Sequence, residues 1–332
     1  MVGQCPERKS EIAMKKILIY SILMLTVILT SAAAMDLELG KTDNSLAVIT
    51  ASDVPENFGR GLPMGPASLR FFKGNLWVSD SIPGNFVEFD QTGKTLRKIV
   101  VPKGTRYVFH DFAIQTGKDG NIEAIWSIGS EETNVLQITL DGKVKTEFAT
   151  GLSMPIQLEL LSDNSIAIFD EGEMKIVAFD RSGKQLWHEE TAGKKFLVNA
   201  EGEIIFLKKM GEEISVCKRS AKTQKAEIIR PFPVSEDSFP QLESLNSDNS
   251  IVFSFHSTSE EDEGLKFMLA RLKLDKSEMD NLEIAFPEAF IKRFYLQNDN
   301  QAFLVKFVDK EGKKLLQIEE FDFESSLDKF EG

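Results

Sequence analysis

A short element that recurs six times, a turn residue followed at once by an extended apolar run, most constrains the fold of this chain. The copies are GNLWVSD from Gly74, GNIEAIWS from Gly120, NSIAIFD from Asn164, GEIIFLK from Gly202, NSIVFSF from Asn249 and NQAFLVKF from Asn300. Successive copies lie 46, 44, 38, 47 and 51 residues apart. Gly and Asn suit such turns because they tolerate a positive φ. A period in this range indicates a repeat architecture.

Each copy belongs to a larger unit of four strands. A strand precedes it, and a second polar turn follows it. These second turns are FDQTGK (89–94), TLDGKV (139–144), FDRSGK (179–184) and the looser RSAKTQ (219–224), LDKSEMDN (274–281) and VDKEGK (308–313). Beyond Ala34 no long segment has helical periodicity. Four antiparallel strands per unit are typical of a propeller blade. We therefore predict an all-β fold, a single six-bladed β-propeller over residues 35–332.

The two ends of the repeat region suggest how the ring closes. The last unit ends with KLLQIEEFDF (314–323) and has no fourth strand, whereas SLAVITA (45–51) precedes the first unit and has no unit of its own. An open sheet edge favours aggregation. We therefore expect the N-terminal strand at 45–51 to pair with 314–323 and close the ring.

Two units carry a family resemblance. PASLRFFKGNLWVSDSIPGNFVEFDQTGKTLRKI (66–99) and MPIQLELLSDNSIAIFDEGEMKIVAFDRSGKQLW (154–187) resemble NHL-type propeller repeats, and the other four units keep only the turns and strand lengths. In that repeat the Asp that ends the second strand, here Asp80 and Asp170, is part of the signature, and we expect it to be structural. Because the other four units lack this Asp, a cluster of Asp80 and Asp170 alone is the open alternative. AFDRSGKQLW (178–187) also resembles one copy of a quinoprotein repeat, and this leaves electron transfer or quinone binding as a minor alternative.

The N-terminus has the form of a secretory signal peptide. Basic residues at Met14–Lys16 precede the apolar run 17–30, and Ser31-Ala32-Ala33-Ala34 supplies a small-residue cleavage site. The run is short for a membrane-spanning helix. We predict a signal peptide over 1–34, with Met14 as an alternative start, and export to the periplasm or the exterior without membrane insertion of the mature chain.

The net charge and the cysteine content exclude some classes of binding partner and of covalent cross-link. The chain has a formal net charge of −13, and cleavage after Ala34 changes it to −15 because four basic and two acidic residues are removed. Such a chain repels phosphate, which argues against nucleic-acid binding. Cys217 is the one cysteine beyond the cleavage site, so an intramolecular disulfide is excluded in the mature protein. We expect a monomer.

Few residues of the chain belong to recognisable catalytic or metal-binding motifs. Of the three histidines, His188 is on an outer strand of the repeat, and only His110 and His256 could lie on the same face. No G-x-S-x-G, H-E-x-x-H or Walker A motif is present. The acidic run SEEDEG (259–264) could attract Ca²⁺, although its spacing is not that of an EF-hand. We predict no cofactor and no metal ligands, with Ca²⁺ at this run as the open alternative.

A ligand would bind where propeller loops meet the mouth of the central channel, on the face where the inner strands begin. The repeat pattern places ten candidate ligand-binding residues there: Arg60, Arg106, Tyr107, His110, Asp111, Trp126, Gln157, Gln241, His256 and Arg293. We also expect Phe239 in this set. Arg, aromatic and amide groups suit a polar ligand or a protein partner.

Two functions remain open at this point. The first is an exported, non-enzymatic binding propeller that presents a loop face to a protein or a polar, saccharide-like ligand. The alternative is a metal-dependent propeller hydrolase, lactonase or lyase with a channel-mouth site. For that enzyme the candidate metal ligands on the inner strands are Gln157, Glu159, Gln241 and Glu243. The catalytic residues are unknown.

Overall fold

The structure is a computed structural model, and it describes most of the chain beyond Ala34. The described residues are 35–40, 46–47, 66–101, 109–129, 133–199, 201–220, 225–234, 236–246, 248–258, 265–275, 279–284, 294–298, 301–310 and 313–322. All of them lie in one compact unit, Met35–Gly332. The predicted signal peptide, residues 1–34, lies outside the described residues.

Two strands come before the repeats, and three four-stranded antiparallel sheets follow. The first two strands are β1 (Met35–Gly40) and β2 (Leu46–Ala47). Sheet 1 contains β3 (Ser68–Phe72), β4 (Asn75–Asp80), β5 (Asn85–Phe89) and β6 (Thr95–Val100). Sheet 2 contains β7 (Phe109–Thr116), β8 (Ile122–Gly129), β9 (Asn134–Thr139) and β10 (Val144–Ala149). Sheet 3 contains β11 (Pro155–Leu160), β12 (Ile166–Asp170), β13 (Lys175–Phe179) and β14 (Gln185–Glu190).

The remaining strands form two more four-stranded sheets and a final one. Sheet 4 contains β15 (Leu197–Val198), β16 (Ile204–Met210), β17 (Glu213–Arg219) and β18 (Glu227–Pro231). A 3₁₀ turn at Glu236–Ser238 leads to sheet 5. Sheet 5 contains β19 (Gln241–Leu245), β20 (Ser250–Thr258), β21 (Leu265–Lys273) and β22 (Met279–Ile284). The last strands are β23 (Phe294–Asn298), β24 (Gln301–Lys310) and β25 (Lys313–Asp322).

The turn residues that defined the repeat have the backbone conformation expected of them. At the first turn of sheets 1 to 5, φ is 80° for Gly74, 75° for Gly120, 68° for Asn164, 76° for Gly202 and 62° for Asn249. At the second turn, φ is 82° for Gly93, 83° for Gly142 and 88° for Gly183. An L side chain other than that of Asn is strained in this region. The all-β prediction and the four-stranded antiparallel blade are both confirmed.

The hydrophobic core is divided among the spaces between successive sheets. Residues of sheets 1 and 2 share one cluster around Trp77 and Phe112, and residues of sheets 2 and 3 share another around Trp126 and Ile168. Sheets 3 and 4 pack around Phe206, and sheets 4 and 5 pack in the same way. Sheets 2, 3 and 4 are therefore apolar on both faces, and full burial of one such side chain contributes about 2–3 kcal/mol.

The strand that pairs with the C-terminal strand differs from our prediction. It is β1, at Met35–Gly40, which pairs antiparallel with β25 from Met35 opposite Ile318 to Glu38 opposite Leu315. Within the predicted segment 45–51, Leu46 and Ala47 pair parallel with the end of β1 instead. The reason is packing, because alternate β1 residues Leu37 and Leu39 are buried in a cluster shared with sheet 1.

The number of blades also needs a correction. The structure describes five four-stranded blades where the sequence predicts six. The sixth sheet has five strands, in the order β2-β1-β25-β24-β23, because β2 adds a parallel strand beyond β1.

Candidate functional site

The inner strands begin, and the second strands end, on one side of the propeller. We call this side the loop face, and among the described residues it comprises 66–67, 80–85, 101, 133, 151–154, 170–174, 191–196, 209–213, 232–234 and 236–240. A hydrogen bond from Glu171 N to Met154 O (2.9 Å) joins the two kinds of loop in sheet 3. Residues from both kinds of loop therefore share one surface.

Asp111, a predicted binding residue, is fully buried and joins three inner strands. Its carboxylate accepts hydrogen bonds from the Ser68 hydroxyl, from Arg70 Nη2 (3.1 Å) and from the backbone N–H of Leu158 (3.0 Å). Arg70 also donates to Glu159 (2.9 Å) and to the Leu158 carbonyl (2.8 Å). Asp111 thus links sheets 1, 2 and 3.

Gln157 plays the same joining role between sheets 3 and 4. Its amide mimics a backbone pairing, since Nε2 donates to Phe196 O (2.8 Å) and Oε1 accepts from Phe196 N (3.1 Å). The side chain is 7% exposed. Both hydrogen-bonding ends of this amide therefore hold the neighbouring sheet.

Gln241 lies in a polar group at the junction of sheets 4 and 5. Gln241 Nε2 donates to Glu243 (2.6 Å), which also accepts from Lys195 Nζ (2.9 Å) and from the Ser254 hydroxyl (2.8 Å). The Glu243 side chain is 3% exposed. An isolated parallel bridge between Lys194 and Gln241 joins the two backbones beside this group.

These contacts bear directly on the metalloenzyme alternative. Each of the four candidate metal ligands, Gln157, Glu159, Gln241 and Glu243, has a protein partner. In the described ranges, no group of three or more His, Cys, Asp or Glu residues could hold a metal ion. A cation at these carboxylates would have to displace Arg70 or Lys195.

Three of the predicted residues, His110, Trp126 and His256, lie within strands. Trp126 is fully buried in β8, where its Nε1 donates to Gln115 (2.7 Å), so our placement of it among the loops is wrong. His256 is partly exposed and lies in β20, which extends to Thr258. His110 is partly exposed in β7. Burial lowers the pKa of His110, and the negative charge of Asp111 opposes this shift only in part. The neutral imidazole of His110 is therefore favoured at pH 7.

The other predicted binding residues lie outside the described residues. They are Arg60, Arg106, Tyr107 and Arg293, and the acidic run 259–264 that could attract Ca²⁺ also belongs to the undescribed part.

Asp170 has the structural role that the repeat resemblance implied. Its carboxylate accepts hydrogen bonds from Met154 N (2.7 Å), Ser153 N (3.1 Å), Ser153 Oγ (3.0 Å) and Gly172 N (3.2 Å). Burial opposes ionisation, but these donors outweigh it, so the pKa of Asp170 is lower than its ordinary value. Asp170 therefore fixes two adjacent segments of the loop face.

The loop face exposes large apolar side chains. Phe239 is 63% exposed, Met154 47% and Met210 44%. Phe239 has a φ of 51°, in the left-handed region. Met154 and Met210 are not among the predicted binding residues. Their positions at the loop ends of strands could have suggested them. Large apolar groups without cover are a common feature of binding surfaces.

A cleft of about 240 Å³ lies on the same face between sheets 3 and 4. Its lining residues are Glu173, Met174, Glu190, Thr191, Ala192, Lys208 and Lys209. No sequence pattern predicts this cleft, because it forms where the end of β14 meets the end of β16. Side chains from two different blades line it.

Ion pairs surround this cleft. Lys175 pairs with Glu173, and Lys208 pairs with Glu189 (2.8 Å). Glu189 also binds Arg219, whose guanidinium lies 4.3 Å from the centre of the Trp187 ring. Acidic and basic groups are therefore both present, with two cations sharing the Glu189 carboxylate.

The described part of the chain contains no helix whose length and apolar character would carry it across a membrane.

Comparison with known proteins supports the fold. No protein-family model matches the chain, and no curated protein matches it significantly. A Bacteroides fragilis protein named as exported is 10% identical, with 87% of this chain and 94% of that chain covered and a TM-score of 0.53. A catalytically inactive virginiamycin B lyase from Staphylococcus aureus, solved with quinupristin, is 14% identical, with 88% and 97% covered and a TM-score of 0.49. The PQQ-bound aldose sugar dehydrogenase from Streptomyces coelicolor is 12% identical, with 77% and 94% covered and a TM-score of 0.45. At these identities the similarity concerns the fold alone, and this chain is a β-propeller of four-stranded antiparallel blades.

Proposed function

We propose that this protein is an exported, non-enzymatic propeller that holds a protein or polar ligand on its loop face. The observation that carries the proposal is the exposure of Phe239, with Met154 and Met210 on the same face. Aromatic and Met side chains are enriched in protein interfaces, and a polar rim completes such a surface. The ion pair between Lys194 and Glu171 (2.5 Å) supplies rim groups of both signs.

The engaged carboxylates favour binding over hydrolysis. A catalytic acid or base must lie within hydrogen-bond reach of a substrate proton. Asp111 and Glu159 contact Arg70, and Glu243 contacts Lys195, so each of these carboxylates already has a cationic partner within the protein. We therefore place the metal-dependent hydrolase, lactonase or lyase second.

Six blades of the NHL type complete the proposed architecture, with the five-stranded sheet as the sixth. A repeated glycine contact supports this count. A Cβ at Gly142 would overlap the carbonyl of Val100 on the outer strand of sheet 1, and one at Gly183 would lie 2.6 Å from Phe148 on the outer strand of sheet 2. Gly93 meets β1 in the same way, 3.4 Å from Asp36 O. By this analogy β1 is an outer blade strand.

The proposed location is the periplasm or the exterior, reached through cleavage after Ala34. The basic and apolar segments before Ala34 support it, and so does the position of β1, which begins at Met35. The mature protein would be a monomer that binds neither nucleic acid nor bilayer. N-terminal sequencing of the exported protein should give Met35.

Site-specific photo-crosslinking tests the binding role. A benzoylphenylalanine is placed at Phe239, with Ile228 on β18 as the matched position, because Ile228 is 55% exposed but lies on an outer strand. The labelled proteins are returned to the cells that produce the chain. We expect one defined adduct from position 239, abolished by excess unlabelled protein, and none from position 228. Equal labelling at both positions, or no adduct from either, would contradict the proposal.

A chelator experiment tests the enzyme alternative. The thermal unfolding temperature of the metal-free protein should be unchanged by EDTA, Ca²⁺ or Mg²⁺. A rise with one of these ions that EDTA reverses would favour the metalloenzyme, and its loss in Glu243→Gln would place the ion in the channel. If instead only a change in the 259–264 run removed the rise, the ion would belong to that loop.

A further inference from the structure

The cleft between sheets 3 and 4 has a lining that the proposed function does not use. Its volume of about 240 Å³ is smaller than an ordinary drug-sized pocket, so it suits a ligand of one or two residues. Met174 and Ala192 give it apolar walls. Thr191 is already engaged, since its hydroxyl donates to Leu207 O (2.7 Å).

Charged groups of both signs line the cleft. Lys208 and Lys209, at the end of β16, are cationic, whereas Glu173 and Glu190 are anionic. Glu173 and Glu190 come from sheet 3, and the lysines come from sheet 4. A ligand that carries one charge of each sign would therefore find a complementary group on each side.

The Lys208 ammonium that lines the cleft shares its carboxylate partner. Glu189 binds both Lys208 and Arg219, so one carboxylate faces two cations. Arg219 is 7% exposed and is not among the residues that line the cleft. Lys208 is therefore only partly neutralised, which favours an additional anionic group on the lysine side of the cleft.

We propose that this cleft binds a zwitterionic ligand, an amino acid or the free ends of a dipeptide, with its carboxylate toward Lys208 and Lys209 and its ammonium toward Glu173 and Glu190. This inference rests on the proposed binding function and names the ligand class of one part of the loop face. The apolar walls accept a small side chain between the two charged groups.

Three dipeptide probes test the pairing of charges. Titration calorimetry compares alanyl-alanine with its N-acetylated form, which lacks the ammonium, and with its amide, which lacks the carboxylate. We expect each blocked form to bind about tenfold more weakly or worse, because each loses a charge-assisted contact. Equal affinity for all three forms, or no binding of alanyl-alanine at millimolar concentration, overturns the proposal.

Matched variants locate the binding. Lys209→Met and Glu190→Gln should each weaken alanyl-alanine binding about tenfold. Lys218→Met is the control, since Lys218 lies in sheet 4 with Glu203 and Glu227 as its partners and does not line the cleft. Circular dichroism confirms that each variant is folded. Unchanged binding in both cleft variants would overturn the assignment. If the cleft failed these tests while position 239 still gave its crosslinked adduct, the proposed binding function would stand and only the cleft assignment would be wrong.

Discussion

Gly142 and Asp170 show how single residues specify this fold. Gly142 has a positive φ and also lies against the backbone of the preceding blade, so two constraints act at one position. Asp170 satisfies several loop donors with one carboxylate. Gly142 lies in a turn and Asp170 is the last residue of β12, so both act where a strand meets a connecting segment.

Substituting Gly142 by Ala should destabilise the protein much more than substituting Gly211. Both glycines have positive φ, 83° and 71°, but a Cβ at Gly211 would meet nothing within 4 Å. We expect a loss of about 1 kcal/mol for Gly211→Ala and about 3 kcal/mol or more for Gly142→Ala. Urea unfolding measures both. Equal losses would contradict the close contact with Val100.

Replacing Asp170 by Asn should lower the free energy of unfolding. It should also make that free energy vary less with pH in the acid range. The loss should be about 2–3 kcal/mol at pH 7, because several bonds to a charged acceptor are weakened. The lowered pKa means that the native carboxylate binds a proton less readily than the unfolded one. Its stabilisation is present above a pH of about 4 and is lost as pH falls through the native pKa.

The measurement is the free energy of unfolding of wild type and Asp170→Asn between pH 7 and pH 3. Asp163→Asn, in an exposed turn, is the control and should cost about 1 kcal/mol or less. A wild type and an Asp170→Asn variant with parallel pH profiles would contradict the role of the charged carboxylate.

At the scale of the element, β1 is the least typical strand of the molecule. It is an N-terminal segment in a sheet whose other antiparallel members lie at the end of the repeats. It alternates strictly, with Leu37 and Leu39 buried and Asp36 and Glu38 exposed. Its apolar face packs on sheet 1 while its backbone pairs with β25. The strand therefore joins two sheets at once.

The alternation of β1 gives a paired test. Leu37→Ala should lower the free energy of unfolding by about 2–5 kcal/mol, since a fully buried Leu leaves a cavity. Glu38→Ala, on the exposed side of the same strand, should change it by less than about 0.5 kcal/mol. Hydrogen exchange of β25 amides should accelerate in the first variant alone. Similar effects of both substitutions would contradict the packing of β1.

The sequence predicts the turns well, but it predicts poorly which strands pair and which side chains contact each other. Gly74 and Asn164 could be predicted because a positive φ is a local demand that few residues meet. The pairing of β25 with Met35–Gly40 and not with 45–51 could not be predicted, because both segments have strand character. The outcome depends on contacts with residues that lie up to 281 positions away in sequence, such as that between Asp36 and Gln317. The Arg70 and Asp111 contacts depend on the relative register of three inner strands, which no local pattern contains.

At the scale of the whole molecule, polar side chains near the axis hold neighbouring sheets together. Asp111 and Arg70 connect sheets 1 to 3, Gln157 connects sheets 3 and 4, and the bridge at Lys194 connects sheets 4 and 5. Inner strands also contact each other from β19 through β23 to β3. Several predicted binding residues thus stabilise the junctions on which the loop face is built.

The Arg70–Asp111 pair should show strong coupling. Arg70→Met should cost about 3–5 kcal/mol, because it leaves the fully buried Asp111 carboxylate without its cation. Asp111→Ala should cost about 2–3 kcal/mol, because Arg70 keeps Glu159 as a partner. The double variant should cost at least about 1 kcal/mol less than the sum of the two. The exposed Lys143–Asp141 pair is the control, and the effects of its two single variants should be additive. Additive costs at Arg70 and Asp111 would contradict the direct contact, and chemical unfolding measures all of these variants.

The pairing of β1 with β25 has a consequence for how the chain folds. Asp36 and Gln317 are 281 residues apart in sequence, and joining segments so distant costs about 5 kcal/mol of chain entropy unless intervening sheets have already formed. The blades are local units, so they can form first and bring the two ends together. We therefore expect ring closure to follow formation of the blades. Until β25 has been synthesised, β1 has no strand partner at this edge, so closure has to wait for that strand.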